Sequence, residues 1–140
     1  MSQAYLNLCE EVAKTSHDPD TKLGAVIVDA HGTVVASGSN RFENEADITP
    51  ERLQRPLKYQ WIKHAEVNAL GGKRFVGCVL YCSAHPCKEC AASIVAAGIA
   101  RVVVARVEDA GLIARWQESW NQADLVLSNG GAEIEYVDYK

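Results

Sequence analysis

Apolar residues change their spacing along this chain, and each change marks an element. Tyr5, Leu8, Cys9 and Val12 recur at helical intervals with Glu10, Glu11 and Lys14 on the other face, which predicts a helix over residues 4–15. Cys9 then reads as a small buried apolar residue. Ser16-His17-Asp18-Pro19-Asp20 breaks that helix, because Pro19 and the aspartates favour a turn. Leu23-Gly24-Ala25-Val26-Ile27-Val28 is a nearly continuous apolar run, as in a strand covered on both faces. Residues 29–32 read as a hairpin turn with His31 at its solvated tip, and residues 33–38 as the returning antiparallel strand.

Residues 39–60 are polar and irregular and contain Pro50 and Pro56. A loop of that length inside a compact domain usually has a role or a short helix of its own. Because it runs directly into His64, it reads as one wall of a site. Arg41, Arg52, Arg55 and Lys58 lie in it, and each taken singly reads as ordinary surface charge.

Helical periodicity returns over 64–70, stopped by Gly71-Gly72, and over 87–97, opened by Pro86 and stopped by Gly98. A fourth helix is predicted over 113–127, ahead of Asn129-Gly130-Gly131. Strands are predicted at 78–82, at 101–105 and, edge-like and alternating, at 132–137. Cys78 and Cys82 fall on one face of their strand as core thiols, with their Cα atoms too far apart for a disulfide. Trp116 and Trp120, four apart, read as packing residues. The order α-β-β-α-β-α-β-α-β predicts an α/β fold: a three-layer α/β/α sandwich on a five-stranded mixed sheet. The hairpin is its antiparallel part and the later strands its parallel part.

Composition narrows the field. The 140 residues are 48% hydrophobic, which fits a single globular domain over 1–140. Fourteen basic against eighteen acidic residues leave a net charge of −4, which argues against a nucleic-acid partner but leaves a small anionic substrate open. No apolar run reaches membrane-span length, so no membrane partner is expected. The start, MSQAYLNLCEEVAK, lacks the basic opening and apolar centre of a signal peptide. Five cysteines, an odd number, point to a reducing compartment, and the expected setting is cytoplasmic.

The candidate chemistry lies in His64-Ala65-Glu66 and Pro86-Cys87-Lys88-Glu89-Cys90. His64, Cys87 and Cys90 supply one imidazole and two thiolates, a donor set suited to Zn²⁺. A structural zinc site closes with a fourth protein ligand and a catalytic one keeps a position open; no fourth Cys or His stands at finger spacing. Glu66, two residues after the histidine, is placed to carry protons. Both segments open predicted helices, where free N–H groups and the dipole favour anions and thiolates. A lone C-x-x-C would fit a redox pair or half a finger.

H-x-E followed by P-C-x-x-C is the signature of zinc-dependent nucleobase deaminases. With it, nearly the whole chain resembles the cytidine and deoxycytidylate deaminase superfamily, most of all its deoxycytidylate branch. The likeness includes His17-Asp18-Pro19-Asp20 through Gly24-Ala25-Val26-Ile27-Val28, Gly38-Ser39-Asn40, Lys58-Tyr59, His64-Ala65-Glu66-Val67-Asn68-Ala69, Pro86-Cys87, Cys90-Ala91 and Ala97-Gly98-Ile99. The resemblance implies a cytidine deaminase-like fold, Zn²⁺ on His64, Cys87 and Cys90, and Glu66 as the catalytic proton carrier. It implies hydrolysis of a cytosine nucleotide, dCMP to dUMP and ammonia, by a homo-oligomer. It places Asn40, Ala65 and His85 beside the substrate and offers Lys22 and Arg41 as phosphate contacts. One departure stands out: where the family reads G-Y-N-G-x-P, this chain has Gly38-Ser39-Asn40-Arg41-Phe42-Glu43. The altered loop keeps open another amino-heterocycle as substrate, such as guanine, another base or nucleoside, or adenosine in transfer RNA. A zinc module without catalysis is the rival of a different class, and Glu66 with the missing fourth ligand speaks against it.

Overall fold

The computed structural model describes residues 2–106 and 108–139. Helix α1 (Ser2–Ala13) leads into strand β1 (Gly24–Val28) and its antiparallel partner β2 (Val34–Ser39). The predicted turn joins them: Asp29 Oδ1 accepts from the N–H groups of His31 and Thr33, both at 2.9 Å. Next come β3 (Arg41–Phe42), a 3₁₀ turn (Glu45–Asp47), α2 (Lys58–Trp61) and β4 (Ile62–Lys63). The order ends with α3 (Ala65–Leu70), β5 (Val79–Cys82), α4 (Lys88–Ala96), β6 (Arg101–Ala105), α5 (Ala110–Asn129) and β7 (Glu133–Val137).

The main sheet runs β2-β1-β5-β6-β7. Strand β1 is antiparallel to β2 and to β5, while β5, β6 and β7 are parallel. All five residues of β1 are buried, which accounts for its unbroken apolar run. Alternation divides the sheet's side chains between two cores. Ala25, Ile27, Leu80, Cys82, Val102 and Val104 meet residues of α3, α4 and α5 on one face. Val26, Val28, Tyr81 and Val103 meet Leu6 and Cys9 of α1 on the other. This is the expected α/β/α sandwich on a five-stranded mixed sheet. Cys78 and Cys82 share one core and both are free thiols, as read from their spacing.

Two glycines let helices approach the sheet closely. A Cβ on Gly24 would stand 2.0 Å from the Cys9 carbonyl oxygen of α1. One on Gly38 would stand 2.4 Å from the Ala69 nitrogen of α3. The second approach brings α3 and its leading residue His64 down onto the end of β2.

Several boundaries move. Helix α1 stops at Ala13, two residues early, and the Thr15 hydroxyl donates back to the Val12 carbonyl at 2.7 Å. Helix α5 starts three residues early, because the Asp109 carboxylate accepts from Leu112 N–H at 3.0 Å and caps it. The irregular stretch 39–60 supplies one strand of a small second sheet, with Arg41 opposite Lys63 and Phe42 opposite Ile62, and ends in the short helix α2. The two tryptophans divide between solvent and packing. Trp116 is 44% exposed, and Trp120 packs on His85 rather than in the core. Twenty helical residues reach about 30 Å, whereas the five residues of β6 and of β7 reach about 17 Å. The first half of α5 therefore overhangs the strand ends, and only its second half, with Ala123 and Leu127, covers the sheet. Among the described residues no helix is long and apolar enough to cross a membrane.

Candidate active site

Two helix starts bring the metal-ligating types together. His64 is the N-cap of α3 and Cys87 the N-cap of α4, each with extended backbone one residue outside the helix it was expected to open. Cys90 lies in the first turn of α4 and is 1% exposed. His64 Nδ1 stands 3.1 Å from Cys90 Sγ and 3.5 Å from Cys87 Sγ. Cys90 N–H donates to Cys87 Sγ at 3.4 Å. The three donor atoms lie within 4.8 Å of one another, and among the described residues this is the one such His/Cys/Asp/Glu group close enough to hold a metal ion.

The charges in the group are complementary. The Cys90 S–H donates to Cys87 and the His64 imidazole stands beside it, and together they hold the Cys87 thiol far below its ordinary range. Cys90 is driven upward by that hydrogen bond and then by burial. His64 is raised, chiefly by its hydrogen bond to Cys87. The site thus gathers two sulfurs and one imidazole nitrogen. That donor set is the one zinc prefers, and three protein ligands leave a coordination position open. Residues His64, Cys87 and Cys90 would hold the ion. Glu66, in the first turn of α3, is buried at 7% exposure, and desolvation raises its carboxyl above the usual range.

The other candidates line a neighbouring wall made of residues 15–23 and 39–63, and most are bonded within it. Asn40 is buried; its Oδ1 accepts from Leu23 N–H at 2.9 Å and its Nδ2 donates to the Thr21 carbonyl at 2.8 Å. Lys22 Nζ donates to the carbonyls of Ser16 and Asp18, both at 3.1 Å. Arg41 donates to the Thr15 carbonyl and pairs with Glu45 at 3.3 Å. Ala65 is buried at the start of α3. Asn68 Nδ2 donates to the Ser39 carbonyl at 2.7 Å, tying α3 to the end of β2.

His85 sits apart from this wall. It lines a cavity of about 460 Å³ at the C-terminal ends of β6 and β7, with Arg106, Gln117, Trp120, Asp124 and Tyr136. Its side chain is 3% exposed.

The sequence reading missed two groups. Lys58 is 3% exposed and pairs with Asp18 at 3.3 Å and Asp20 at 3.4 Å, clamping the two halves of the wall. Nothing in its local sequence sets it apart from the exposed cations around it. Asp124 and Tyr136 meet His85 from α5 and β7. The only hint was an acid four residues after Trp120 on one helical stripe.

Comparison with known proteins places this geometry. Residues 1–106 match the family described as the cytidine and deoxycytidylate deaminase zinc-binding region. An uncharacterised deaminase from the luxG 3′ region of Aliivibrio fischeri is 32% identical over 139 residues, covering 97% of this chain and 92% of that protein. Human deoxycytidylate deaminase is 36% identical over 112 residues, or 74% of this chain and 60% of the human protein's length. The crystal structure of an apo dCMP deaminase from cyanophage S-TIM5 superposes with a TM-score of 0.71 at 25% identity, covering 97% of this chain and 96% of that one. The same phage enzyme has been solved with dCMP and dUMP bound.

Proposed function

Since the chain belongs to the cytidine and deoxycytidylate deaminase family, we propose that it hydrolyses a cytosine nucleotide, dCMP to dUMP and ammonia. The observation that carries the reading is a buried carboxyl, Glu66, two residues from His64 in a group of one imidazole and two sulfurs. The names of the human and phage relatives support the choice of nucleotide.

The chemistry that bound zinc supplies is Lewis-acid activation of the attacking water. The chain's own residues do the rest. Glu66 accepts a proton from that water and passes it to ring N3 as oxygen bonds to C4. It then takes the proton of the new C4 hydroxyl and delivers it to the C4 amine; the C–N bond breaks as the C4 carbonyl forms, and ammonia leaves with a uracil-type product. One group must act first as base and then as acid, and a carboxyl raised by desolvation is suited to both. The buried start of α3 keeps bulk water from competing for that proton. On the neighbouring wall Asn40 holds the 21–23 segment by both ends of its amide and offers its second Nδ2 hydrogen to the sugar or base. Lys22 and Arg41 stand at the outer part of the wall, where a phosphate would reach them.

Ammonia release is measured on dCMP, CMP, deoxycytidine, cytosine and guanine with the wild type and Glu66→Gln. The wild type is expected to prefer dCMP. The variant should keep its zinc and lose about 10²–10⁴-fold in turnover. Turnover of guanine in preference to dCMP sinks the substrate assignment, and near wild-type turnover by Glu66→Gln sinks the role of the carboxyl.

A further inference from the structure

The residues that surround His85 form a closed clasp on the loop that delivers Cys87. His85 Nε2 is 2.9 Å from Asp124 Oδ1 and 3.1 Å from the Tyr136 hydroxyl. Tyr136 O–H donates in turn to Asp124 Oδ2, so the three side chains close a ring of contacts. The imidazole stacks with two aromatic rings, 5.2 Å from Trp120 at 22° and 5.8 Å from Tyr136 at 26°. Its remaining nitrogen, Nδ1, lies 2.8 Å from the Pro86 carbonyl oxygen. That carbonyl belongs to the peptide plane joining Pro86 to Cys87. Fixing the plane fixes the direction in which the N-cap cysteine leaves the backbone, and Pro86 is itself fully buried.

The origin of these groups gives the clasp its meaning. His85 lies inside the segment matched by the family, residues 1–106. Trp120, Asp124 and Tyr136 all come from α5 and β7, beyond it. Neither element carries a metal-ligating residue or the proton carrier, yet both converge on the residue two before Cys87. A histidine packed for bulk alone would not need a carboxylate on one ring nitrogen and a main-chain carbonyl on the other.

We propose that His85 is a positioning residue for the metal loop, held by Asp124 and Tyr136, so that the C-terminal helix and strand set the placement of Cys87. The proposal rests on the reading of Cys87 as a zinc ligand and is independent of which nucleotide is deaminated. Partners that orient a ligand in this way typically contribute 10- to 100-fold in metal affinity.

The test measures zinc affinity of the full chain by competition with a chromogenic chelator, alongside thermal melting of the metal-free form. Asp124→Ala is expected to weaken zinc binding about 10- to 100-fold. Asp124→Asn, which keeps an oxygen facing the imidazole, should recover most of that loss. Wild-type zinc affinity in Asp124→Ala overturns the proposal. So does an equal loss in both variants that tracks a lowered melting point of the metal-free form, since that is the mark of a merely structural contact. If Asp124→Ala does not fold, Tyr136→Phe carries the test, because it removes one hydroxyl. Weaker zinc binding at unchanged metal-free stability supports the clasp, and unchanged affinity overturns it. Absence of turnover on dCMP, with the affinity pattern intact, would count against the substrate assignment alone.

Discussion

At the metal end, three donor atoms within 4.8 Å bond to one another and share protons among themselves. Along the wall of residues 15–23 and 39–63, Asn40, Lys22, Arg41 and Lys58 are engaged by main-chain carbonyls or by carboxylates. The first region is a donor set suited to a metal ion, and its groups are held in place by two helix starts. The second is complete in itself, and its polar groups hold a shape. Metal-binding chemistry therefore concentrates where one imidazole and two sulfurs converge. Rigidity concentrates where the protein pairs its polar groups.

The largest break in that contrast comes from His64→Ala. Removing the one nitrogen donor should abolish zinc retention and deamination together, and metal analysis of the purified variant checks both against chelator-treated wild type. Full zinc content in the variant would show that the metal is held elsewhere.

Lys58→Ala probes the wall. It leaves Asp18 buried without its counter-charge, and a broken buried pair costs about 3–5 kcal/mol. Denaturant melts should show that loss, while zinc content stays at the wild-type level. A loss of zinc of the same proportion would mean that the two regions are not separable.

Acid should act on the metal end in a predictable direction. Cys90 and His64 both have raised pKa values, so in the metal-free chain they hold protons that an ion must displace. Zinc uptake should release protons and weaken as pH falls. Calorimetry in two buffers of different ionisation enthalpy reads the proton release, and pH-independent uptake would contradict it. The smallest effect is expected at Arg41, whose pairing with an exposed Glu45 is worth about 0–1 kcal/mol. If Arg41→Ala cost as much stability as Lys58→Ala, burial would not be what separates the two cations.

The metal end was readable from the chain because its information is local. The pair Cys87 and Cys90 sits within one helical turn, and Gly71 and Gly98 end the two helices that carry the site. The parallel half of the sheet was readable as well, since strands 79–82, 101–105 and 133–137 alternate with helical segments. The wall was not. Asp18 and Lys58 are 40 residues apart, and neither carries a mark that says it is buried. The two-residue strands β3 and β4 are too short for any periodicity to announce them. What Trp120 packs against was hidden for the same kind of reason: its stripe on α5 is helical, but which group lies beneath it depends on where β6 and β7 end.

The residues alone therefore determined the layer order and the donor set, and set a carboxyl two positions from the histidine, because helix periodicity, ligand spacing and residue chemistry act over a few positions. Only the tertiary structure decided which cation is buried against an acid, and that a histidine two residues before a ligand is gripped by the last helix and strand. The first depends on a pairing 40 residues apart. The second depends on pairings 39 and 51 residues apart, which exist only once parallel β6 and β7 have set their ends beside the metal loop.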